Sequence, residues 1–115
     1  MRAYDIVAAF EDRVAARFGA AHGIAVDCCT HAIFLSLKYY RQAGCSATHV
    51  VVPARTYVSV PFTVMHAGLT PLFEDYAWSG YYPLVPFPVY DAAKAWRTLP
   101  GNLRHTPLYC LSFHA

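Results

Sequence analysis

Four side chains in this sequence stand where a ligand can be gripped: Thr30, Tyr57, Asp91 and Ser112 each follow or finish an apolar, strand-like run. In open parallel sheets, ligands bind beyond the carboxyl ends of the strands. Thr30 opens a helical pattern, so its hydroxyl and the free backbone N–H groups of His31 and Ala32 can hold a phosphate, helped by the helix dipole. A plain N-cap threonine reads the same way. Asp91 ends an apolar strand and precedes the small Ala92 and Ala93, which leaves room for a planar ring beside its carboxylate. A carboxylate there can keep a pyridinium nitrogen protonated and make the ring an electron sink; an N-cap aspartate fits the same local pattern. Tyr57 can stack on a flat ligand or pack as a core aromatic.

These residues need elements to position them. Ile6, Phe10, Val14 and Phe18 recur every four residues, which predicts an amphipathic helix that Gly19 ends. Gly23 to Val26 reads as a short strand, followed by a turn and a second helix through Ile33, Phe34, Leu37 and Tyr40 to Gly44. Val50 to Val52 suits a buried parallel strand that Pro53 closes, and ARTYVSVPFTVMHAG reads as a loop and helix with Pro61 in the first turn and Gly68 as the cap. Thr70 to Phe73 is a third strand, and the proline-rich stretch from Tyr76 to Pro88 is expected to be irregular. Val89 to Asp91 reads as a strand tip, Ala92 to Trp96 as a short helix or turn, and Leu108 to Phe113 as a final strand. Strands alternating with helices predict an α/β fold, a mostly parallel sheet with flanking helices.

The totals narrow the function classes. A chain of 115 residues is one small domain at most. Apolar residues make up 57% and charged residues 14%, against roughly 45–50% and about 25% in ordinary soluble domains. So much apolar surface calls for cover by a partner subunit or by further chain, and the composition reads as that of a fragment. The net charge of +2 and the scattered basic residues give nucleic acid no electrostatic footprint. No apolar run is long enough for a membrane helix and the start lacks a signal-peptide core, so a cytoplasmic location is expected. Cys28 and Cys29 are adjacent while Cys45 and Cys110 are isolated, which matches neither a disulfide framework nor a zinc knuckle; buried reduced thiols are expected and no metal site is assigned.

The ordered segments AVDCCTHAIFLSLKY, VVVPARTYVSVPFTVMHAG, PLFED, PVYDAAKA and LSFHA resemble the successive signatures of the DegT/DnrJ/StrS sugar aminotransferases, enzymes with the aspartate aminotransferase fold that depend on pyridoxal 5′-phosphate (PLP). The resemblance runs from about Tyr4 to the last residue. It implies that Thr30 and the His31 amide bind the cofactor phosphate, that Tyr57 stacks on the pyridine ring, that Asp91 pairs with its nitrogen, and that Ser112 adds a hydroxyl to the phosphate. Lys94 stands where the family usually has a glutamine close to the ring, in the pattern DAAQA. Only the 15 residues from Tyr76 to Tyr90 separate PLFED from the aspartate strand, where the family commonly carries several dozen. The family's Schiff-base lysine follows the SF serine by five positions, two residues past Ala115. Lys38, in mid-helix, and Lys94 do not match it, and His114 lies three residues before it.

By this resemblance the chain is the incomplete PLP-binding large domain of an aminotransferase, inactive in turnover as it stands. The implied substrates are a nucleotide-linked keto-sugar and an amino acid donor, and the implied assembly is a homodimer. Two other readings are open on the sequence: a non-catalytic relative that holds PLP or another phosphate ligand, and an unrelated flavodoxin-like binding domain.

Overall fold

The computed structural model describes residues 2–96, 99, 103 and 108–113. Helix α1 (Ala3–Phe18) starts where the Asp5 carboxylate accepts the Arg2 N–H at 3.0 Å and stops at Gly19, whose φ of 62° is the left-handed conformation a glycine adopts without a Cβ clash. Of its expected apolar stripe, Phe18 is buried and Val14 half-buried, while Ile6 and Phe10 lie exposed. The body of the chain therefore meets α1 from Phe10, whose ring lies 5.0 Å from that of Phe113, to Phe18.

Helix α2 (Cys29–Gln42), strand β1 (His49–Pro53), helix α3 (Ser59–His66) and strand β2 (Thr70–Glu74) follow close to their expected bounds. Pro61 does sit in the first turn of α3, and Gly68, at φ 82°, follows the Ala67 cap. Strands β1 and β2 pair in parallel from His49↔Thr70 to Pro53↔Glu74.

Beyond them the expected order changes. The stretch read as irregular contains strand β3 (Tyr82–Pro83), which forms an antiparallel hairpin with β4 (Val89–Asp91), closed by Leu84 N–H to Val89 O at 2.8 Å. Tyr82, Leu84 and Phe87 of this hairpin are fully buried, so three prolines hide a genuine core segment. Strand β5 (Leu108–Cys110) pairs with β4 in parallel and ends three residues before the expected limit, because the Ser112 carbonyl turns aside to accept the Trp96 indole N–H at 2.7 Å. The fold is α/β, but its sheets are two small ones, β1-β2 and β3-β4-β5, the second of mixed direction. A bond from Val51 N–H to Val85 O at 2.8 Å joins them.

The expected strand at Gly23 to Val26 does not form. Instead the segment lies against α1, where Ala25 N–H donates to the Glu11 carboxylate at 2.8 Å and a Cβ on Gly23 would come within 2.7 Å of the Glu11 carbonyl oxygen. Residues 92–96 form a turn.

One core binds Ile33 and Leu37 of α2 to Val50 and Val52 of β1, Val60 and Val64 of α3, and the hairpin. A second gathers Phe18, Ala92, Ala95, Leu99 and Leu103. The apolar surplus in the composition surfaces at Tyr4, Ile6, Val7 and Phe10 of α1 and at Leu72 and Phe73 of β2, all exposed. Among the described residues no helix is long and apolar enough to cross a membrane.

Candidate functional site

Strand register places Tyr82, Asp91 and Cys110 side by side in one row across β3, β4 and β5. Directly opposite residues share a face of the sheet, with Cβ atoms roughly 4.5–5.5 Å apart in an antiparallel pair. Accordingly the Tyr82 hydroxyl donates to Asp91 Oδ2 at 2.7 Å. The Ala93 N–H donates to Oδ1 at 3.1 Å, so Asp91 also caps the turn that follows it. At 7% exposure the carboxylate is buried, yet a carboxylate offers about four acceptor positions and these bonds use two. Ala92 is no open space: it is wholly buried in the second core.

The first turn of α2 covers this row. Cys29 Sγ donates to the Cys110 carbonyl at 3.6 Å, and Ser36 Oγ lies 3.6 Å from Cys110 Sγ. Burial, with the nearby Asp91 carboxylate and Cys110 adding to it, pushes the Cys29 thiol up to about 12. Burial also raises Cys110 to about 12, against the lowering effect of its hydrogen bond with Ser36. Both thiols stay protonated at neutral pH. Unfolding lets them ionise from their ordinary value of 9.0, so stability they contribute below pH 9 is lost as pH rises toward 12. The measurement is thiol modification at pH 8: Cys29 and Cys110 should resist an aromatic disulfide reagent in the native chain and react after denaturation. Simultaneous reaction of all four thiols in the native chain contradicts this placement.

Thr30 is the second residue of α2, not its cap; Cys28 holds that position without a side-chain bond. The amides of Cys29, Thr30 and His31 therefore fall among the four unsatisfied N–H groups of a helix start, whereas Ala32 N–H is taken by the Cys28 carbonyl at 3.0 Å. Thr30 Oγ1 donates to Ser59 Oγ at 3.4 Å, which brings the starts of α2 and α3 together with two hydroxyls between them. Helix starts carry partial positive charge, and this convergence suits an anion.

His31 itself is exposed, its Nδ1 2.6 Å from Asp27 Oδ1, and that contact holds the Asp27 carboxyl below its ordinary value. Cys28 completes a group of three potential metal ligands within 4.8 Å. Two ligands around a zinc ion at about 2.0 Å each stand roughly 3.3 Å apart in a tetrahedron, so the 2.6 Å contact is a direct hydrogen bond between the two side chains, not an ion's seat. Beside it a shallow depression is lined by Val26, Asp27, His31, Phe34 and Leu35.

The other expected site residues are more dispersed. Tyr57, 75% exposed, presents its ring to solvent in the loop after β1. Lys94 is exposed on the turn after Asp91, and Lys38 is exposed on α2. Ser112 is half-buried after β5. His114 lies outside the described residues. Three residues near the row escaped the sequence reading: Ser59, Thr56 and Tyr82. Ser59 had a signal, a serine at the start of the α3 pattern two residues before Pro61. Tyr82 and Thr56, 26 residues apart, share a hydrogen bond between their hydroxyls that only the fold creates.

The profile of the DegT/DnrJ/EryC1/StrS aminotransferase family matches residues 1–84. The chain belongs to this family. It is also similar to the spore coat polysaccharide biosynthesis protein SpsC of Bacillus subtilis (strain 168), 41% identical over 66 residues. That match covers 57% of this chain and 16% of SpsC. No solved structure gives a significant match. Membership removes the unrelated flavodoxin-like reading. The aminotransferase signatures span α1 through β3, the elements that deliver Thr30, Thr56, Tyr57 and Tyr82.

Proposed function

We propose that this chain is the incomplete large domain of a PLP-dependent aminotransferase with the aspartate aminotransferase fold, acting in its full-length form on a nucleotide-linked keto-sugar with an amino acid donor. The observation that carries the reading is the buried Asp91 carboxylate beneath the first turn of α2, in a chain of an aminotransferase family. The donor set fits PLP at both ends: amides and hydroxyls at the starts of α2 and α3 for a phosphate, and a carboxylate with acceptor capacity left for a ring nitrogen.

In this reading the Thr30 hydroxyl and the amides of Thr30 and His31 hold the phosphate, with Ser59 and Ser112 as further hydroxyls. Tyr57 lies over the ring, and Asp91 keeps the ring nitrogen protonated. PLP, when bound, supplies the electron sink that stabilises negative charge at the donor's α-carbon. The lysine that carries the cofactor belongs to chain beyond Ala115, by the spacing of the family motif. Lys94 contacts the ring region in place of the family's glutamine. The exposed apolar faces of α1 and β2 are covered by the rest of the protein and by a second copy in a homodimer, and the protein works in the cytoplasm.

The test is the absorbance of the full-length protein after incubation with PLP. A cofactor band that borohydride removes, and that Lys→Ala at the motif position abolishes, supports the enzyme. PLP binding without that band supports a non-catalytic relative, and no PLP binding sinks both.

A further inference from the structure

We propose that Tyr82 is the positioning residue of Asp91, the last donor in a one-way hydrogen-bond relay, Thr56 to Tyr82 to Asp91, that presents the carboxylate to a bound pyridine nitrogen. The inference rests on the cofactor reading above. An ionised carboxylate only accepts hydrogen bonds, so the Tyr82 hydroxyl gives its proton to Oδ2 at 2.7 Å. Its oxygen is then left to accept, and Thr56 Oγ1 must donate to it. The direction of the relay follows from the acceptor at its end.

Every member is held from outside the relay. Tyr82 sits opposite Asp91 in the β3–β4 register and is 1% exposed. Trp78 packs edge-on against its ring at 4.7 Å, and the Trp78 indole N–H is tied to the Arg55 carbonyl at 2.7 Å, next to Thr56. Burial and the adjacent Asp91 carboxylate push the Tyr82 phenol far above its ordinary value of 10.0, so it remains a donor across the working pH range. With Oδ1 fixed by the Ala93 N–H and Oδ2 by Tyr82, the carboxylate has no freedom to rotate. Thr56 also immediately precedes Tyr57, so one relay ties the loop that carries the stacking ring to the nitrogen partner. The short connection between β2 and β4 makes this possible, because it brings a tyrosine strand beside Asp91.

The test compares the full-length protein with its Tyr82→Phe and Thr56→Val variants. The probes are pyridoxine 5′-phosphate, which cannot bond covalently to a lysine, and inorganic phosphate. Tyr82→Phe should weaken pyridoxine 5′-phosphate binding by about three- to tenfold, the range a single lost hydrogen bond gives, and leave inorganic phosphate within about twofold. A purely structural role would not move the spectrum, so absorbance of the bound probe is followed against pH; the ring nitrogen should lose its proton at lower pH in the variant. Thr56→Val should shift both readouts the same way by less, and it carries the test if Tyr82→Phe does not fold. Tight probe binding in the parent with both readouts unchanged in the folded variants overturns the role of Tyr82 alone. A parent that binds pyridoxine 5′-phosphate no more tightly than inorganic phosphate overturns the cofactor reading, and this inference with it.

Discussion

Asp91→Asn in the full-length protein is expected to lower turnover by on the order of 10²- to 10³-fold, the usual cost of removing one preorganised electrostatic partner from a reacting group. The reason lies in donor and acceptor count. Asparagine has one acceptor oxygen, and with that oxygen on the Ala93 N–H its amide nitrogen faces Tyr82. The relay then reverses: the amide donates to the Tyr82 oxygen, and the Tyr82 hydroxyl turns its proton toward Thr56. Every buried group keeps a partner, so the fold survives. What is lost is the acceptor, since a protonated ring nitrogen now meets an N–H donor.

Paired measurements check this. The melting temperature of Asp91→Asn should stay near that of the parent while turnover collapses. Asp91→Ala should in addition destabilise by about 1–3 kcal/mol, because it takes away the acceptor of the part-buried Ala93 N–H and leaves a gap beside Tyr82, whose hydroxyl can turn only to Thr56. Turnover within threefold of the parent in a folded Asp91→Asn protein would remove Asp91 from the site.

Much of this arrangement was legible because it is local. The start of α2 beside Thr30, the closure of α1 at Gly19 and the end of β4 at Asp91 follow from capping, left-handed glycine and apolar runs that a window of a few residues contains. What escaped depends on distant chain. Gly23 to Val26 has strand-like residues, but a strand needs a neighbour, and Glu11 of α1 takes the Ala25 N–H instead. Around Tyr82 the prolines at 83, 86 and 88 mask a period-two pattern in which Tyr82 and Leu84 are buried while Pro83 is half-buried and Val85 exposed. Its bond to Asp91 spans nine residues and exists only once the hairpin closes; Thr30 and Ser59 meet across 29. The readings of Thr30 as a phosphate donor and as a plain cap diverged on a single position, and the structure puts the cap at Cys28, which frees the threonine hydroxyl to reach Ser59.

The two leucines of α2 give a sharp stability contrast that tests the packing beneath the site. Leu37 is completely buried among Val50, Val52 and Val64, at the joint between α2, α3 and β1, whereas Leu35, two residues earlier, is half exposed beside His31. Two residues is about 200° around a helix, so the pair points to opposite sides. Leu37→Ala should cost about 2–5 kcal/mol, the loss of transfer free energy plus the cavity left in a core walled by α3 and β1 that cannot close fully. Leu35→Ala should stay within about 0.5 kcal/mol. Against a total of about 5–15 kcal/mol for a native domain, the first change alone removes a large share of the folded population's margin. Urea titration followed by circular dichroism reads both as shifts of midpoint at constant slope. Equal midpoints for the two variants would mean that α2 does not dock through Leu37, and the placement of its first turn over Asp91 would fall with it, because the face that seats Leu37 and Ile33 also sets Cys29 against Cys110.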